Sequence, residues 1–234
     1  MLLYCASVYA QKDIFQPEFG FSITPNTRYR FSTPDGSVQI KSRPAESAFL
    51  GFRYHRQLKE VLYFHTGIVY SSINHRHQLR YKDGDHTYRQ GFNNWGSGFC
   101  IKLPTGLEAR AEINSRHSFS AAFSLLPVFL AGSQNAVNTF IMNASGEDIQ
   151  VLNYVRDEMS FFQLFASLRI NYNYHTSPER RLAFFFAFEP QITKATHYTR
   201  ITLMPGSPQE STFLPFLNNS SVQFGMGYGI SKSR

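Results

Sequence analysis

The chain has 234 residues, a formal net charge of +7, and 42% hydrophobic and 16% aromatic residues. No stretch approaches the roughly 18 to 20 unbroken apolar residues of a transmembrane helix, which excludes a helical membrane protein. The basic balance contains no tract of Lys and Arg and no nucleic-acid motif, so it is read as lying in loops and turns, with no nucleic-acid partner. The 23 Phe and 13 Tyr suit a lipid-facing wall with interfacial girdles.

In chain order, the first element is a targeting segment. Met1 to Ala10 is uncharged and mostly apolar, with Val8 and Ala10 where a cleavage site places small residues, and Gln11 as the new N-terminus. A basic leading region is missing, so residues 1–10 are read as a remnant or truncated signal peptide and 11–234 as one domain. Cys5 leaves with that segment, so Cys100 has no partner and no disulfide framework is expected.

The rest of the chain alternates with period 2, the spacing that sends successive strand side chains to opposite faces. Phe19, Phe21 and Ile23 oppose Gly20, Ser22 and Thr24. Ala48, Leu50, Phe52 and Tyr54 oppose Gly51, Arg53 and His55. Leu62, Phe64, Ile68 and Tyr70 oppose Tyr63, His65, Gly67 and Ser71, and the alternation continues over Ile73 to Lys82. Ile101, Leu103, Leu107, Ala109 and Ile113 oppose Lys102, Pro104, Glu108, Arg110 and Glu112. Phe119, Ala121, Phe123, Leu125 and Phe129 oppose a serine row. Leu164, Leu168, Ile170 and Tyr172 oppose Gln163, Ser167, Arg169 and Asn171. Leu182, Phe184, Phe186 and Phe188 oppose Ala183, Ala187 and Glu189. Val222, Phe224, Met226, Tyr228 and Ile230 oppose Gln223, Gly225, Gly227 and Gly229; three glycines on one face read as close packing or a bent wall.

This makes eight strands, and their connections alternate strictly in length. Short ones fall at Gln57 to Glu60, Asn114 to Arg116 and His175 to Arg180; long ones at Pro25 to Ser47, Ser72 to Gly98, Leu130 to Glu158 and Ala195 to Ser220. Short periplasmic turns with long outer loops are the layout of an all-β, eight-stranded antiparallel up-and-down transmembrane barrel in the outer membrane of a Gram-negative bacterium. The apolar rows then face lipid, led by Leu164, Leu168, Leu182, Phe184, Phe186, Phe188, Phe224 and Tyr228. Arg53, Lys102, Glu108, Arg110, Glu112, Arg169 and Glu189 turn inward, where a narrow lumen requires them to pair as a salt-bridged plug.

The chain resembles the small outer-membrane β-barrels of Bacteroidota, the PorT-like outer membrane protein beta-barrel group. The likeness lies in the Ala10-Gln11 junction, the stretch Lys102-Leu103-Pro104-Thr105-Gly106-Leu107, the Phe-rich strand from Phe119 to Phe129, and the final Gly225-Met226-Gly227-Tyr228-Gly229. It implies outer-membrane lipid as surroundings and the barrel-assembly machinery as a partner during insertion. Such barrels usually end on an aromatic residue; this chain ends Ile230-Ser231-Lys232-Ser233-Arg234, and Tyr228 would serve. Some relatives act in protein secretion, and the family carries no shared catalytic residues.

The expected function is therefore a non-enzymatic barrel that anchors in the membrane and presents its loops to a protein partner. The alternatives are a lipid-modifying enzyme, a narrow porin-like pore, and a soluble lipocalin-like barrel with its apolar rows inside. His55, His65, His75, His77 and His86 do not form a ligand set at known spacing, and no metal or cofactor is expected. An enzyme would draw on His86 with Asp83 or Asp85 and a loop serine such as Ser97, but no Gly-x-Ser-x-Gly elbow is present.

Overall fold

A strand in hydrocarbon must satisfy every backbone N–H and C=O from its neighbours, and only a sheet without edges does so. The computed structural model has that form. It describes residues 12–25, 30–32, 36–83, 86–132, 136–142, 148–159, 162–193, 197–203, 209–213 and 220–233; residues 1–10, where the sequence leads one to expect a targeting segment, lie outside them, Cys5 included.

The described residues form fifteen strands: β1 (Lys12–Thr24), β2 (Arg30–Ser32), β3 (Val38–Arg43), β4 (Ala45–Gln57), β5 (Leu62–Asp83), β6 (His86–Lys102), β7 (Thr105–Glu112), β8 (His117–Gly132), β9 (Ala136–Met142), β10 (Asp148–Met159), β11 (Phe162–Ser177), β12 (Arg180–Glu189), β13 (His197–Leu203), β14 (Gln209–Phe213) and β15 (Ser221–Ser233). Eight positions make the wall. β1 pairs with β4, β4 with β5, β5 with β7, β7 with β8, β8 with β11, β11 with β12, β12 with β15, and β15 returns to β1, always antiparallel. β6 and β7 are one wall strand interrupted at Leu103 and Pro104. The register is unbroken across the gap, Lys102 facing Val69 and Val128 on one side and Thr105 facing Thr66 and Leu125 on the other. Pro104 has no N–H to offer the ladder, while the Leu103 N–H still donates to the Pro127 carbonyl at 2.9 Å.

The short connections are tight. Leu58 and Lys59 both donate to the Leu62 carbonyl, at 2.8 and 3.1 Å. The Asn114 side-chain oxygen accepts from Arg116 and His117 at 2.9 and 3.0 Å, a side chain standing in for a backbone turn. The expected six-residue turn from His175 to Arg180 is shorter in the structure, because β11 and β12 run on until only Pro178 and Glu179 are left between them.

The outer connections differ from plain loops. β5 is 22 residues long, roughly 70 Å at about 3.3 Å per residue, against a hydrocarbon layer of about 30 Å. β5 and β6 therefore continue together beyond the membrane, and the β2–β3 hairpin pairs on β5 there, Val38 opposite Tyr81 and Arg43 opposite Arg76. The third and fourth outer connections form a second sheet of four strands in the order β14-β13-β10-β9.

The outer face of the wall is apolar. Phe21 is 63% and Leu50 65% exposed, far beyond what water tolerates over so continuous a surface. Across the wall, Ile170 sits opposite Phe186, Phe186 opposite Phe224, and Phe224 opposite Phe21, a band of cross-strand pairs. Leu168, Phe184, Phe186, Phe188, Phe224 and Tyr228 are exposed on this face, while Leu164 and Leu182 are half-buried by their neighbours.

Candidate functional site: the barrel lumen

The same alternation that turns phenylalanine outward turns charge inward, and the lumen gathers it into pairs. Glu18 on β1 is 2% exposed and lies between two guanidiniums, Arg53 at 2.9 Å and Arg169 at 2.8 Å. Arg53 reaches on to His65 Nδ1 at 3.4 Å, and His65 Nε2 meets the Ser124 hydroxyl at 3.2 Å. The Arg169 Nε donates to Asn171 at 2.6 Å, Asn171 donates to Ser120 at 2.9 Å, and the Arg169 plane lies 3.5 Å over the Phe185 ring. Glu108 forms a second centre, with Arg110 at 2.7 Å and His55 Nδ1 at 2.8 Å. Lys102 and Glu189 form a third at 2.6 Å, with Gln223 and Ser221 also donating to Glu189. Each carboxylate thus has a cation in contact, the condition for keeping an ion out of water.

Of the seven residues the sequence turns inward, Arg53, Lys102, Glu108, Arg110, Arg169 and Glu189 are buried in this lumen. Glu112 is not. It has inward parity but stands at the end of β7, where the wall stops, and it is exposed at the mouth. The structure adds Glu18 and Arg181, both buried, which sequence reasoning missed. Their signal was the same alternation carried two residues further back, from Gly20 to Glu18 and from Ala183 to Arg181. His55 and His65 stand with rings 5.8 Å apart inside the network, bound to Glu108, Arg53 and Ser124. Asp85 lies outside the described residues, as do the side chains of His75, His77, Asp83, His86 and Ser97.

The interior is not polar throughout. β8 climbs from the Asn114 turn to the outer end, where Leu126, Val128 and Leu130 point inward and pack with Cys100 and Phe165. Phe49, Val69 and Phe185 form a neighbouring apolar layer. The expected polar filling is therefore mixed with apolar side chains toward the outer end, where Lys102 stands opposite Val128. The physical cause is the run Leu125-Leu126-Pro127-Val128-Phe129-Leu130, which is apolar on both faces.

The glycines of β15 make room for this filling. A side-chain carbon on Gly225 would stand 2.6 Å from the Phe185 ring, on Gly227 2.9 Å from Gln16, and on Gly229 2.8 Å from Arg181. The glycine stripe read as close packing is the wall against which three lumen side chains lie.

Solved structures are similar to the chain, one of them to a TM-score of 0.50. The chain is similar to the outer membrane protein OprG from Pseudomonas aeruginosa, at 9% identity and a TM-score of 0.50, covering 94% of this chain and 96% of that one. It is also similar to Neisserial surface protein A, at 9% identity and a TM-score of 0.46 over 94% and 96%, and to the outer membrane protease OmpT from Escherichia coli, at 8% identity and a TM-score of 0.39 over 96% of each chain. At such identities the likeness is one of fold. No protein-family model and no curated protein matches the chain. A closed ring of eight strands, apolar outside and ion-paired inside, is a β-barrel of the outer membrane.

Proposed function

We propose that this barrel is a non-enzymatic outer-membrane scaffold with a closed lumen, which presents a stranded outer crown to a protein partner. The observation that carries the reading is the filling of the lumen. Three ion-paired centres occupy its polar part, and the apolar cluster of Cys100, Leu126, Val128, Leu130 and Phe165 packs around the outermost of them, with Lys102 opposite Val128. A packed apolar cluster of that kind resists wetting, and a paired ion does not leave its partner cheaply. A molecule built this way has its working surface outside. The crown favours protein as the partner, because β14 and β9 are the edges of the four-stranded sheet, and sheet edges accept an added strand.

The resemblance of the sequence to PorT-like barrels of Bacteroidota favours a partner in protein secretion, and Tyr228, outward on β15, suits recognition by the barrel-assembly machinery. Two experiments test the reading. Purified protein in planar bilayers is expected to give no stepwise openings; regular unitary steps would replace the scaffold by a pore. A photo-crosslinking residue at Thr87 in the crown is expected to yield a discrete protein adduct in living cells, with none from Lys59 at the opposite end. Lipid adducts alone, with a changed lipid A or phospholipid profile on expression, would replace the scaffold by a lipid-modifying enzyme.

A further inference from the structure

The short-turn end of the barrel holds a cavity that the ion-pair network does not fill. Its volume is about 400 Å³, and Lys12, Arg110, Glu112, Arg116, His175 and Arg181 line it. Four fixed cations thus face one carboxylate. Arg110 is already engaged, with Nη2 on Glu108 and its guanidinium 4.1 Å over the Tyr63 ring, though its Nε has no partner. Arg181 is the anomaly. It is 2% exposed, it joins no ion pair among the described residues, and its one hydrogen bond is from Nη2 to the neutral carbonyl of Gln16 at 2.8 Å. Its Nε and Nη1 have no partner.

A buried guanidinium with two idle donors is strongly disfavoured unless something negative meets it. The wall is shaped to keep it there. Gly229 lies against its side chain, where any larger residue would displace it, and Gly227 makes room for Gln16. A planar fork of N–H donors, a second arginine and two rim cations match a tetrahedral oxyanion. Allowing for Glu112 and for Glu108 behind Arg110, the surplus around the cavity is two positive charges, four against two.

We infer that this mouth is a binding site for a dianionic phosphate group on the periplasmic side, with Arg181 and Arg110 at its base and Lys12 and Arg116 at its rim. The phosphate is either free, as inorganic phosphate or a small phosphate monoester, or the headgroup of an inner-leaflet lipid. The inference does not depend on the crown or its partner.

The test uses the full chain refolded in zwitterionic detergent, with folding checked by its shifted gel mobility before boiling. Inorganic phosphate is titrated calorimetrically at constant ionic strength set with chloride, and separately phosphatidate is added to the micelles. Saturable binding of inorganic phosphate identifies a free phosphate; binding of phosphatidate alone identifies a lipid headgroup. Arg181→Gln is expected to weaken either by more than about tenfold. If that variant does not fold, Arg116→Gln and Lys12→Gln, both at exposed positions, each weaken binding several-fold, and Arg180→Gln, exposed but outside the cavity, leaves it unchanged. Absence of saturable binding of both probes by the folded wild type overturns the site, and so does an equal loss from Arg180→Gln.

Discussion

At the scale of the residue, the lumen separates ion pairs that matter from those that do not. Glu18 holds Arg53 and Arg169 with all three groups out of water, so Glu18→Gln leaves two guanidiniums without a counter-charge. Removing one member of a buried pair costs about 3 to 5 kcal/mol. The exposed pair of Glu46 and Arg76 is 3.7 Å apart with the carboxylate in solvent, and Glu46→Gln should cost less than about 1 kcal/mol. Urea unfolding in lipid vesicles, followed by gel mobility, distinguishes the two. Most of these inward charges were legible from alternation alone, because Arg53 or Glu108 stands in a row whose other face is phenylalanine and leucine. Glu18 and Arg181 were not, because each row was begun at its first aromatic or aliphatic residue. Glu112 shows the opposite error. Parity says which way a side chain points and says nothing of whether the wall still has height at that position.

At the scale of the element, a strand's identity depends on which neighbour it meets. The outward pairs Ile170–Phe186 and Phe186–Phe224 place Phe186 in the middle of the apolar band, where hydrocarbon is on every side. Phe186→Arg is expected to lose about 2 to 4 kcal/mol of folding stability in vesicles, the penalty for charge at the midplane, whereas Ile230→Arg at the far end of β15 should lose about 1 or less. All eight wall strands were legible because their alternation is clean. The inward apolar cluster was not, because β8 changes from an alternating sequence to a continuous one after Leu125, and a run that is apolar on both faces gives no sign of which half is inside. Nor was the crown. β9–β10 and β13–β14 are local hairpins, but the pairing of β10 with β13 that joins them into one sheet crosses distant parts of the chain, and that partnership leaves no local period.

At the scale of the whole molecule, the barrel is defined by its seam. Ile23 lies opposite Val222 and Phe15 opposite Ile230, so the two ends of the wall meet over nearly the full length of β1. The strands approach closely there; a side-chain carbon on Gly20 would fall 2.1 Å from the Phe224 carbonyl oxygen and 2.7 Å from the Gly225 Cα. Gly20→Val is expected to abolish the compact gel band altogether, because both obstructing atoms are backbone. A lumen variant that spares the seam, such as Leu126→Ala, should keep the band and lose about 2 to 5 kcal/mol.

That seam also dictates timing. The strand that leaves the ribosome early must wait for one made some two hundred residues later before either has its partner. Until then the growing sheet carries two unsatisfied borders, each able to zip onto a foreign strand, and it cannot enter lipid piece by piece. The wall is complete only when β15 meets β1, and that closure is a single event in which β15 acts as the latch.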